Sequence, residues 1–103
     1  MSTDFIDAGL DARWSDTLAS EATLAEQTRA CLANIDRIIT AAGGQRTDIA
    51  AVTIYNTRLA EQDVVNAVCS EFFGEHRPAR THVEVSRLAD PELLIEISAM
   101  AAL

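Results

Sequence analysis

The chain has 103 residues, 49% of them hydrophobic and 23% charged, and 16 acidic against 8 basic residues give a formal charge of −8. This is the size of one domain, residues 1–103, with a modest core, and the composition is that of a folded protein rather than a disordered one. The acidic field and the absence of any Lys disfavour a nucleic-acid partner, because gripping phosphates by counterion release needs clustered cations.

No apolar run approaches the length of a membrane span, so no membrane partner is expected. The N-terminus lacks the basic-then-apolar pattern of a signal peptide, and the cytoplasm is the expected location. Cys31 and Cys69 have neither metal-site nor redox-motif spacing. Each falls in the apolar register of an expected helix and reads as a buried free thiol. No metal and no cofactor are expected.

Residues 1–20 are the least legible part. Phe5, Ile6, Leu10, Trp14 and Leu18 fit neither a helical nor a strand period. Trp14 is expected to anchor a small core, with a pocket wall as the other reading. Thr23-Leu24-Ala25-Glu26 then reads as a capping box. Leu24, Cys31, Leu32, Ile35, Ile38, Ile39 and Ala42 recur at helical spacing, while Glu26, Arg29, Asp36, Arg37 and Thr40 take the other side. The pattern predicts an amphipathic helix of about five turns. Gly43-Gly44 should stop it.

A strand is expected over residues 49–58, with Val52 and Ile54 on one face and Thr53, Tyr55 and Thr57 on the other. A second helix follows over residues 61–73, burying Val64, Val65, Val68, Cys69 and Phe72, with Asn66 at the edge of that stripe and Gly74 closing it. Pro78 holds the next stretch extended. Residues 79–86 alternate with period two, so Ala79, Thr81, Val83 and Val85 should form a buried face. Arg80, His82 and Glu84 line the opposite face, either bare to water or turned toward a ligand. A turn through Ala89-Asp90-Pro91-Glu92 leads to a last strand, residues 93–102, with Glu96 among Leu94, Ser98 and Met100. A mid-strand carboxylate among apolar neighbours must be exposed, paired or protonated.

This order of elements predicts an α+β domain with both helices on one face of the sheet. Tyr55, Leu94 and Met100 are left on the uncovered face. Bare apolar area there is unfavourable by about 25 cal/mol per Å², which makes a homo-oligomer the expected state.

Gln27-Thr28-Arg29, Leu32, Asn34-Ile35-Asp36, Ala42-Gly43-Gly44, Asn66, Phe72-Phe73-Gly74-Glu75-His76, Pro78-Ala79-Arg80 and Leu93-Leu94-Ile95-Glu96-Ile97 together resemble, in order and spacing, the reactive-intermediate deaminase family, also called RidA or YjgF. The resemblance runs from near Gln27 to the C-terminus. It implies the chorismate-mutase-like α+β fold and a trimer with ligand clefts between subunits. It also implies hydrolysis of amino-acid-derived enamines or imines, such as 2-aminoacrylate, to 2-keto acids and ammonia. Arg80 matches the arginine that grips the substrate carboxylate. Glu96 matches the acidic residue near the attacking water, with one extra residue in the preceding turn. Asn66 matches an asparagine close to the cleft, in a supporting role. His82 stands where relatives often carry Cys or a small residue, and shares a face with Arg80. The partner implied is a small carboxylate-bearing metabolite.

The N-terminus departs from the family pattern. The usual N-terminal hairpin with its Ser-Gly-Gln element is missing, and Arg13-Trp14-Ser15-Asp16 resembles the segment before it. A divergent N-terminal strand that still pairs with the sheet is the other reading. Loss of the hairpin would leave a shallow site, so a non-catalytic carboxylate-binding or regulatory oligomer stands beside the deaminase. Ribonuclease activity, a third family possibility, sits poorly with the charge of −8.

Overall fold

Two segments, residues 3–6 and 23–103, are described by the computed structural model of this chain. They form β1 (Thr3–Ile6), α1 (Leu24–Ala41), β2 (Ile49–Asn56), α2 (Gln62–Phe73), β3 (Ala79–Glu84) and β4 (Ile95–Ala102). Trp14 and the Arg13–Asp16 segment lie outside the described residues.

The capping box forms as expected. The Thr23 hydroxyl accepts the Glu26 amide at 3.2 Å, and the Glu26 carboxylate accepts the Thr23 amide at 3.2 Å. The Thr23 hydroxyl also donates to this carboxylate, and these hydrogen bonds hold it below the usual carboxylate range. The two glycines end α1 in a Schellman arrangement. Gly44 N–H reaches Ile39 C=O at 2.9 Å and Gly43 N–H reaches Thr40 C=O at 3.0 Å. Gly43 adopts φ +88°, a conformation that penalises any Cβ.

The sheet order is β1-β4-β2-β3. β4 is central and antiparallel to both β1 and β2, while β2 and β3 are parallel neighbours joined through α2. The helices pack on one face. Cys31, Ile35 and Ile39 of α1, Val65 of α2, Ile49 and Ile54 of β2, and Ile95 and Ile97 of β4 are all fully buried there. Burial of each large apolar side chain contributes about 1.5–3 kcal/mol. The helix stripe on α2 is narrower than expected. Val65, Val68 and Cys69 fill the contact strip, and Val64, about 100° round the axis, stays 38% exposed.

Register assigns the faces. Val52, Ile54 and Asn56 are buried toward the helices, and their β3 partners are Arg80, His82 and Glu84. Directly paired residues project to the same side of a sheet. The polar row of β3 therefore lies on the helix side, and Thr81 and Val83 lie on the open face beside Thr53 and Tyr55. This reverses the expected assignment for β3. β3 is the edge strand, and along it only His82 is half-buried while Val83 is 37% exposed. Leu94 also moves. It precedes β4 and packs against the core rather than on the open face. Tyr55, Val83 and Met100 carry the apolar character of that face, with Glu96 opposite Tyr55.

The N-terminal four residues pair with the free edge of β4, Thr3 opposite Ala102 and Ile6 opposite Ala99. A strand pairing with the sheet, the second of the two readings, is what the described N-terminal residues form. Among the described residues no helix is long and apolar enough to cross a membrane.

Candidate functional site

β3 delivers Arg80 to a cleft of about 190 Å³ at the C-terminal end of α2. Cys69, Ser70 and Phe73 of the helix form one wall, and His76, Arg77, Pro78 and Arg80 form the other. Gly74 makes this geometry possible. It takes φ +61° and ψ −122°, ending the helix and returning the chain toward β3 in a conformation essentially restricted to glycine. His76 is pinned by its Nε2–H donating to Ile49 C=O at 2.7 Å, since a carbonyl can only accept.

The cleft is electropositive in an acidic protein. None of its described lining residues is acidic, and two are arginines. The ion pairs among the described residues are Asp36–Arg46 and Arg58–Glu61, so neither Arg77 nor Arg80 is neutralised by a described carboxylate. Arg80 lines the cleft beside the Cys69 thiol. Burial pushes that thiol up and the guanidinium pulls it down, with burial the larger effect. Cys69 is thus a neutral wall rather than a thiolate that would quench the arginine.

His82 lies two residues along from Arg80 on the same side. Its tautomer follows from its neighbour Asn56, which is fully buried. Asn56 Oδ1 accepts the Arg58 amide at 2.8 Å, which directs the amide nitrogen Nδ2 at His82 Nε2, 3.1 Å away. Nε2 must accept, so neutral His82 carries its proton on Nδ1. Burial first, and the Arg80 charge second, hold its pKa below the ordinary 6.5. Nδ1 is buried without a partner among the described residues, and so is Oδ1 of Asn66 on α2.

Glu96 is elsewhere. It pairs with Tyr55 on the open face, whereas Arg80 pairs with Val52 on the helix side. One chain therefore groups Arg80 with Cys69 and holds His82 on the same face, and it does not bring Glu96 to them. Asn56, Arg77 and His76 were given no role by the sequence reading. Asn56 carried a usable signal: it has the parity of Val52 and Ile54, so an amide was due on a buried face.

A second depression, about 280 Å³, lies between the helices and includes Arg29, Asp36, Arg46, Glu71 and Phe72. Its charges are largely spent on one another. Arg46 pairs with Asp36 at 3.2 Å, donates to Phe72 C=O at 3.0 Å and lies 4.2 Å over the Phe72 ring. Among the described residues no His, Cys, Asp and Glu cluster has metal-holding geometry.

The family model described as endoribonuclease L-PSP matches residues 8–103, nearly the whole chain. This chain belongs to the RidA/YjgF family. The match starts upstream of Gln27, where the motif resemblance began. A RutC family protein of Pyrococcus horikoshii is 46% identical over 76 residues, covering 74% of this chain and 60% of that protein. The 2-iminobutanoate/2-iminopropanoate deaminase of Escherichia coli is 41% identical over 83 residues, covering 78% of this chain and 64% of that one. This chain thus spans about 60% of the length of these relatives. A crystal structure of a YjgF/YER057c/UK114 family member from Mycobacterium tuberculosis superposes with a TM-score of 0.78 at 27% identity, over 99% of this chain and 100% of that one. The α+β architecture with two helices on one face is the family fold.

Proposed function

We propose that the protein is a RidA-type enamine/imine deaminase acting on 2-imino acids derived from amino acids. The observation that carries this is the Arg80 cleft: a guanidinium unpaired by any described carboxylate, in a small pocket whose described lining holds no acidic residue, on a chain of net charge −8. The name of the Escherichia coli relative gives the reaction class.

The chemistry asks little of the protein. Water adds to C2 of the imino acid, the C–N bond breaks, and ammonia leaves a 2-keto acid. Arg80 would hold the carboxylate through both oxygens, presenting C2 to water and favouring the electron-poor imine. His82, two residues along β3 on the same side, and Asn66 on α2 would play supporting parts from outside the described cleft lining. Glu96, on the other face of its own sheet, would reach this cleft only from a neighbouring copy, there orienting the water and passing protons. A homo-oligomer that covers Tyr55, Val83 and Met100 fits this requirement and the family pattern of clefts between subunits.

Coupling to an amino-acid dehydratase tests the reading. The decay of the released imine to keto acid should accelerate with this protein and lose that acceleration in Arg80→Ala. Equal decay with and without the protein would refute it.

The separation of Arg80 from Glu96 in one chain favours a second reading, a carboxylate-binding oligomer without turnover. It predicts binding of 2-ketobutyrate that depends on Arg80 and no acceleration. An RNA substrate is a poor fit to a chain of this charge with no Lys.

A further inference from the structure

The cleft holds two guanidiniums, and one carboxylate occupies only one. Arg77 is anchored by a single nitrogen: Nη1 donates to the carbonyls of Gly74 and of His76, the latter at 3.1 Å. Both carbonyls lie in the turn that follows α2, and these bonds tie the Arg77 side chain down beside the cleft. A guanidinium has five N–H donors in a planar fork. The Nε and Nη2 donors of Arg77 have no partner among the described residues, and its side chain lines the same cleft as Arg80.

Two cations that no described carboxylate neutralises share about 190 Å³ and repel each other. A monoanion relieves half of that, whereas a dianion pairs with both forks. The volume falls below the roughly 300–1,000 Å³ usual for drug-sized ligands, so the ligand is a small metabolite. The Ser70 hydroxyl and the Cys69 thiol add weak polar contacts without charge, and Phe73 closes the floor.

We propose that Arg77 is a specificity-determining residue that selects, at the Arg80 cleft, small acids bearing two carboxylates over those bearing one. The substrate class that follows is a 2-imino acid with a second acid group on its side chain. This rests on the reading of Arg80 as the carboxylate grip.

The test is calorimetric titration of the full chain, at low salt, with 2-oxoglutarate and with 2-oxobutyrate. The diacid should bind about tenfold tighter or more, one charge-assisted pair being worth at least that. Arg77→Gln should erase the preference, costing the diacid several times more affinity than the monoacid, and Arg77→Lys should keep most of it. Arg80→Gln should weaken both acids. A role for Arg77 in holding the turn after α2 alone would lower both affinities by the same factor, and that result overturns the proposal. Equal affinities in the unaltered protein, or binding of neither acid, overturn it as well. Imine turnover is a separate readout: a protein that prefers the diacid but accelerates no imine decay keeps this inference and loses the deaminase, and turnover without diacid preference does the reverse.

Discussion

Gln27 is the residue on which the placement of β4 turns. Its side chain is 3% exposed, and it spans from the first turns of α1 to the segment just before β4. Its Nε2 donates to Glu92 C=O at 3.1 Å, and its Oε1 accepts the Leu94 amide at 2.8 Å. Gln27→Ala removes both at once. The Leu94 amide is then left in a part-buried setting without a partner, at a cost of about 1–3 kcal/mol, and the bond to the Glu92 carbonyl forfeits roughly another 0.5–1.5 kcal/mol. The sum, about 1.5–4.5 kcal/mol, is a large share of the roughly 5–15 kcal/mol that holds a domain of this size together. Urea unfolding at one fixed protein concentration is the assay, because association would otherwise shift the midpoint by mass action. The midpoint should fall with the slope unchanged. Gln27→Glu separates the two bonds, since it keeps the acceptor for Leu94 but faces Glu92 C=O with an oxygen. It should be destabilised most above the pH at which the new carboxyl ionises. A loss below about 0.5 kcal/mol for the Ala variant would show that the clamp contributes nothing beyond solvent.

Ile97→Ala, at a fully buried position between sheet and helices, should cost about 2–5 kcal/mol and is read in the same unfolding assay. Gly74→Ala should cost roughly 1–3 kcal/mol, because φ +61° with ψ −122° admits a side chain only under strain, and thermal melting reports it. His82 gives a pH signature. Its pKa is lowered on folding, so below 6.5 the unfolded chain takes up a proton that the folded chain refuses, and the stabilisation present above 6.5 is lost as pH falls through that window. His82→Gln should flatten the dependence of the melting temperature on pH in that range, and an unchanged profile would refute the assignment. Val83→Glu, placing charge on the open face, should shift the proposed oligomer toward monomer in sedimentation velocity.

The helices were legible because their signals are local. The Thr23–Glu26 box and the two glycines at 43 and 44 fix the ends of α1 whatever packs on it. β2 was legible for a related reason: buried on one side and half-buried on the other, it alternates with the right parity. β3 alternates just as clearly, yet period says only that two faces differ, not which one meets the helices. Apolar character suggested Ala79, Thr81 and Val83. What decided otherwise were neighbours distant in sequence, Asn56 bonded to His82 and Cys69 lining one cleft with Arg80, neither of which any local pattern shows. β1 failed for lack of length, since four residues hold no measurable period. Their register comes from the open edge of β4.

The same parity argument bears on the site. Arg80 and Glu96 were grouped by resemblance, and a linear motif says nothing about which side of a sheet each residue takes. In this fold the faces are set by Val52 and Tyr55, three residues apart on β2 with regular pairing between them, so the two partners must diverge. No rotamer of Glu96 crosses a sheet. If the pair works together, its members come from different copies, and catalysis becomes a property of the assembly. Dilution would then remove turnover while leaving the Arg80 cleft and its affinity for a keto acid in place. Mixing an Arg80→Ala chain with a Glu96→Gln chain supplies the sharper criterion. Either variant alone should be inactive, and co-assembled chains should recover part of the activity wherever an intact Arg80 meets an intact Glu96. Failure to recover, with mixed oligomers demonstrably formed, would mean that Glu96 has no part in the chemistry.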